Sequence, residues 1–216
     1  MKRSGSPPPF PNAKARLRVA AQSPATPPRE HFLTIWTSGA RFRVRDESGR
    51  HVSAILADVE AARGLGATPR TLEETMDRWT PLSRLPAGNT DLFGDLATAQ
   101  GLVVRTGQEP WPAAADRLAA AARQILAGES TLSGPGTLRE CVRLGRPATE
   151  IRGYVEGSDQ GAPYRNEVTR VVSPPYLLYS DVRDARAAGH YFTREILSLE
   201  EGAVSDSDLA PPPRTP

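Results

Sequence analysis

The chain has 216 residues, 38% of them hydrophobic and 24% charged, enough apolar material to bury a core as one domain. Its 27 basic and 25 acidic residues are interspersed and leave a formal net charge of +2, which excludes the broad positive field of a nucleic-acid binder. One cysteine, Cys141, excludes an intramolecular disulfide and a multi-cysteine metal site, and no run approaches the ~18–20 apolar residues of a spanning helix.

Residues 1–11 are polar and rich in proline, as are residues 210–216, so both read as disordered tails around a single domain, 12–209. Lys2 and Arg3 have no apolar run behind them, so the expected location is the cytoplasm, or the periplasm or another extracytoplasmic compartment if the true start lies upstream. Residues 13–22 alternate, with Ala15, Leu17, Val19 and Ala21 on one face and Lys14, Arg16 and Arg18 on the other, the period of a half-buried strand. Residues 23–28 hold Pro24, Pro27 and Pro28 and read as a connection. Strands at 31–37 and 40–46 flank Ser38-Gly39 as a hairpin, with Phe42 and Val44 inward against Arg41, Arg43 and Arg45. A tight turn at 46–50 leads into a further strand at 52–57.

A helical insertion follows at about 71–127. Thr71 to Glu74 is a capping box, and Leu72, Met76 and Trp79 continue at helical spacing. A brief strand at 102–106 precedes a stronger helix at 112–127, with Pro112 in its first turn, a stripe of Leu118, Ala122, Ile125 and Leu126, and Gly128 as its stop. Beyond a Gly- and Pro-rich loop at 133–136 the chain becomes an antiparallel meander. Strand-like runs at 143–144, 150–156, 164–173, 176–183 and 191–199 are separated by turn-forming segments. The expected fold class is α+β: a curved antiparallel β-sheet, an incomplete barrel, with two helices packed on its concave face.

The order of strands, helical insertion and longer strands resembles the periplasmic lipoprotein carriers of the LolA type. It is similar also to sigma-factor regulators of the RseB type and mycobacterial lipid-binding lipoproteins of the LprG type. The stretches that carry the resemblance are HFLTIWTSGARFRVRDESG in the first half and VVSPPYLLYSDVRDARAAGHYFTREILSLEEGAVSDSDL in the second. The resemblance implies a half-barrel with helices over a hydrophobic cavity, a lipid or lipoprotein acyl chain as ligand, and, by the RseB analogy, a regulatory protein partner.

No short motif marks a catalytic site, and the chain is expected not to be an enzyme. Gly64-Leu65-Gly66 lacks the third glycine of a dinucleotide fingerprint, and Gly-x-Ser-x-Gly is absent. The pairs Glu73-Glu74 and Glu200-Glu201 are adjacent in sequence, so they do not converge as a general acid and base. His31, His51 and His190 lack metal-ligand spacing and Cys141 has no nearby histidine, so no metal and no cofactor is expected. Candidate cavity residues are Trp36, Phe42, Trp79, Leu118, Ile125, Tyr154 and Tyr176, with Phe93 beside them, although aromatics on strand faces more often serve as ordinary core. Arg41, Arg43 and Arg45 read as a solvated outer face. Two functions follow: a non-catalytic carrier or sensor that holds a lipid or acyl chain, with a hydrophobic ligand or lipidated protein as partner, and a protein-interaction module that uses the sheet face or edge.

Overall fold

Two strands from opposite ends of the chain lie side by side in the middle of the sheet. In the computed structural model, which describes residues 9–23, 26–48, 88–127, 132, 134, 136–159, 162–184, 189 and 191–212, β1 (Phe10–Ser23) pairs with β11 (Tyr191–Glu201) and with β2 (Thr26–Gly39). On the β2 side follow β3 (Arg41–Asp46), β4 (Thr90–Asp95), β5 (Gln100–Arg105) and β6 (Trp111–Ala114). On the β11 side follow β10 (Tyr176–Asp184), β9 (Ala162–Ser173), β8 (Arg146–Asp159) and β7 (Thr137–Arg143). The result is one antiparallel sheet of 11 strands, ordered β6-β5-β4-β3-β2-β1-β11-β10-β9-β8-β7, with its ends left open. Two helices are described: α1 (Ala115–Ala127) and a single turn, α2 (Asp206–Leu209). The strand expected at 52–57 and the capping-box helix at 71–79, with Trp79, lie outside the described residues.

Several elements differ from the sequence reading, each for a local reason. β1 starts at Phe10, inside the stretch read as a tail, because the Phe10 side chain is buried and its ring lies 5.3 Å from that of Phe42. The prolines of 23–28 fall largely inside β2, not in a connection. Pro27 and Pro28 lie beyond the reach of β3, which pairs only with 33–38, and next to an irregularity in the β1 register, where a missing N–H is tolerated. The helix begins at Ala115, and Pro112 belongs to β6, which among the described strands is an edge that pairs with β5 alone. β7 covers seven residues where only 143–144 read as extended. The turn after it is Leu144-Gly145, both at positive φ (52° and 72°), the geometry of a two-residue hairpin.

Alternation in the central strands produces two faces. The inner face carries Leu17 and Val19 of β1, Leu33 and Ile35 of β2, Phe42 and Val44 of β3, Leu92 of β4 and Ile196 of β11, all nearly or fully buried. On α1 the expected stripe of Leu118, Ala122, Ile125 and Leu126 is buried in the same cluster. The contacts of α1 require the sheet to curl. Leu118 lies over Gly101 of β5, while the carbonyl of Ile125, seven residues on, accepts from Arg194 of β11. Five strand spacings of ~4.8 Å separate β5 from β11 along the ladder, about 24 Å, whereas seven residues of helix rise only about 10 Å. At the other end Arg143 of β7 meets Glu195 of β11 at 2.5 Å although three strands intervene, so the sheet bends there as well, on the face opposite to α1.

Candidate functional site

The part of the inner face under α1 is closely filled. Phe42 and Val44 project from β3, Leu118 and Ile125 descend from α1, and all four are fully buried. A row of small residues admits them: Phe42 pairs with Gly94, which pairs with Gly101, which pairs with Ala113. A Cβ on Gly94 would lie 2.1 Å from the Phe42 ring, and one on Gly101 2.7 Å from Leu118 Cδ1, so both glycines are required by close approach. Phe10 caps the group, and the Arg123 guanidinium lies 4.7 Å from its ring. Of the sequence candidates, Phe42, Leu118 and Ile125 therefore meet as one packed cluster.

Beyond the end of α1 the same face opens. Cross-strand pairing aligns Leu138 of β7, Ile151 of β8, Arg170 of β9, Ser180 of β10 and Arg194 of β11 in one row, so these five share a face. The next row is Glu140, Thr149, Val172 and Leu177. A cleft of about 540 Å³ lies along it, lined by Glu140, Cys141, Val142, Pro147, Ala148, Thr149, Val172 and Pro174. Val142 in its lining is 75% exposed, and Leu138 on the same face of β7 is 71% exposed. Arg194 is fully buried, with Nη1 donating to the Leu177 carbonyl at 3.2 Å and Nη2 to that of Ile125 near the end of α1. A cation at the last carbonyls of a helix is favoured by their orphan acceptors and by the helix dipole.

The outer face holds the other candidates. Trp36 alternates with the buried Ile35 and Thr37 and stacks under Arg43, at 4.8 Å from guanidinium to ring, while Arg43 also lies 5.0 Å from Phe93. The arginines read as merely solvated are instead engaged: Arg43 and Arg45 share Asp91 at 2.9 and 3.1 Å, and Arg41 pairs with Asp206 of α2. Tyr154 is half-buried beneath Arg165. Tyr176 is buried, stacked by Arg146, and donates to Glu201 at 3.2 Å. Burial first, then the Glu201 charge, pushes the Tyr176 phenol up to about 12. Tyr179 is pushed up as well, by burial and then by Asp181, and the Arg146 hydrogen bond leads in holding Glu201 below the usual carboxylate range. These shifts hold each group in its ordinary neutral-pH state, the opposite of a general acid or base tuned toward 7.

Among the described residues no three His, Cys, Asp or Glu side chains gather as metal ligands. None of the described helices is long and apolar enough to cross a membrane. What the arrangement can do is bind: the cleft is lined by Val142, Pro147, Ala148, Val172 and Pro174 together with Glu140, Cys141 and Thr149. The sequence reading missed Arg170, Ser180 and Arg194. Arg194 was visible in principle, since it shares parity with Phe192 and Ile196, as Arg170 does with Val168 and Val172.

No protein-family model matches the chain, and no curated protein matches it by sequence. Among solved structures it is similar to a LolA superfamily protein from Nitrosomonas europaea, at 10% identity over 94% of this chain and 92% of that one, with a TM-score of 0.31. It is similar also to a protein domain from Vibrio parahaemolyticus assigned to outer membrane lipoprotein sorting, at 6% identity over 91% and 88% of the two chains, with a TM-score of 0.29.

Proposed function

We propose that the chain is a non-catalytic carrier or sensor that holds the apolar part of a lipid, or of a lipidated protein, against the inner face of its sheet. The observation that carries this reading is the cleft of about 540 Å³ on the uncovered half of that face, with Val142, Pro147, Val172 and Pro174 in its lining. Its volume falls in the usual ligand range of ~300–1,000 Å³. Burial at about 0.8 kcal/mol per methylene supplies about 8 kcal/mol for ten methylenes, micromolar affinity before ordering costs. Titration calorimetry with oleate tests it. The expected result is binding with a negative heat-capacity change, weakened about tenfold by Val142→Asp, which places a charge on the apolar rim without entering the core. Binding that ignores Val142→Asp would remove the cleft from the account.

One observation supports a second reading, a module that recruits a protein by its sheet edge. β7 pairs only with β8 among the described strands, and Leu138 and Val142 stand exposed on it, the pattern of a strand open to augmentation. This reading expects Arg139→Pro to abolish partner binding and to leave lipid binding intact.

A further inference from the structure

We propose that β7, which among the described strands pairs only with β8, takes up an extended polypeptide segment on its other side as a further antiparallel strand, and that the segment reads, from its amino end, apolar, any residue, basic, acidic, apolar. The proposal rests on the sheet-edge reading and adds to it the register and chemistry of the partner. β7 ends in a two-residue hairpin, whose closing pair, Arg143 and Arg146, exchanges both hydrogen bonds. The register with β8 runs unbroken back to Thr137, so bonded and open pairs alternate, and Cys141, Arg139 and Thr137 also turn their N–H and C=O groups to β8. Those of Leu138, Glu140 and Val142 therefore point away from the sheet, and no described residue takes them up.

The side chains along this edge state what the added strand carries. Leu138 and Val142 are the most exposed large hydrophobic side chains among the described residues. They share one face with Glu140, and Arg139 stands on the other. The neighbouring cations are satisfied, Arg143 by Glu195, Arg146 by Glu201 and Arg152 by Glu150, whereas the exposed Arg139 and Glu140 have no ion pair among the described residues. In an antiparallel pair, residues directly opposite share a face, so an acid suits the position facing Arg139, a base the one facing Glu140, and apolar side chains those facing Leu138 and Val142. A second copy of β7 does not meet this demand. Two-fold pairing centred on Arg139 or on Glu140 sets that residue against itself, and pairing centred on Cys141 sets Arg139 against Arg143, so each register through the middle of the strand opposes like charges.

Calorimetric titration of the full chain with the capped peptide Thr-Val-Thr-Lys-Glu-Val-Thr tests the assignment, because that order sets its Lys opposite Glu140 and its Glu opposite Arg139. Exchanging the peptide's Lys and Glu should weaken binding about tenfold, the scale of two cross-strand charge pairs reversed in sign. The chain that carries Arg139→Glu and Glu140→Lys together should prefer the exchanged peptide, and both positions are exposed, so it keeps its fold. N-methylation of the peptide's Lys, whose N–H meets Glu140, should abolish binding, whereas N-methylation of the Thr before it, whose N–H points away, should be tolerated. Equal affinity for the two peptides, or a preference that the double variant leaves unchanged, overturns the register and chemistry assigned here while the sheet-edge reading stands. If neither peptide binds, or if both N-methyl peptides bind as the parent peptide does, the sheet-edge reading falls as well. Self-association of the parent chain in sedimentation, dissolved by Glu140→Pro, would put a second copy on the edge and overturn the proposal.

Discussion

Leu118 is the side chain that most directly fixes α1 to the sheet, and Leu118→Ala measures what that docking contributes. The residue is fully buried, and its Cδ1 occupies the space above Gly101 where no Cβ stands. Truncation removes three carbons and leaves a hole over a strand that pairs on both sides, with β4 and with β6. The wall of that hole cannot close in, so the cost belongs in the upper part of the large-to-small range, about 3–5 kcal/mol. For a chain of this length each kcal/mol lowers Tm by about 2–4 °C, so thermal unfolding followed by circular dichroism should drop by about 6–20 °C. Leu118→Asp should cost at least as much, because it forces a charge into the same site. Ala127→Ser, at the exposed end of the helix, serves as control and should move stability by less than about 0.5 kcal/mol. A Leu118→Ala variant that melts within about 2 °C of the parent would show that α1 is peripheral and that the derived curl of the sheet is wrong.

Gly94→Ala should destabilise by about 1–3 kcal/mol in urea unfolding, because the new methyl would lie 2.1 Å from Phe42 Cζ and the ring has Phe10 against it; a gain in stability would contradict the packing described. Tyr176 keeps its proton in the folded state up to about 12 against an ordinary 10.0, chiefly through burial. Its contribution is therefore complete below the unfolded value and is lost as pH rises from 10 toward 12, about 2–3 kcal/mol in all. The urea midpoint of Tyr176→Phe should lack that part of the alkaline decline, and an identical alkaline profile would remove the assignment. Replacing Arg41, Arg43 and Arg45 together by Gln should lower stability, through loss of the Asp91 pairs and of the stack on Trp36 and Phe93, yet leave oleate affinity unchanged. A steep loss of ligand affinity would move the binding surface to the outer face.

The hairpin of β2 and β3 was legible because Phe42 and Val44 alternate cleanly with arginines, and the α1 stripe because four apolar residues recur at helical spacing. β7 was not, since most of its side chains are exposed on both faces and no amphipathic alternation marks it. The prolines of β2 and β6 misled because the rule against proline in strands applies to central ladders, and only the assembled sheet shows that Pro27 and Pro28 lie past the end of β3 and that β6 lies at an edge of the described sheet. The outer arginines were placed on the correct face, but their partners Asp91 and Asp206 are distant in sequence and become neighbours only through register. The Arg170, Ser180 and Arg194 row is harder still to read. It depends on three strands pairing in one register, and a bulge between Leu177 and Tyr179 breaks the parity of YLLYSDV just before Ser180.

The central claim, that the inner face holds an acyl ligand, is tested most directly by native mass spectrometry of the purified chain, followed by analysis of its organic extract. The account expects one acyl lipid per chain, or, if the protein purifies empty, stoichiometric uptake of oleate. A chain that carries no lipid and takes up neither oleate nor oleyl alcohol would contradict it.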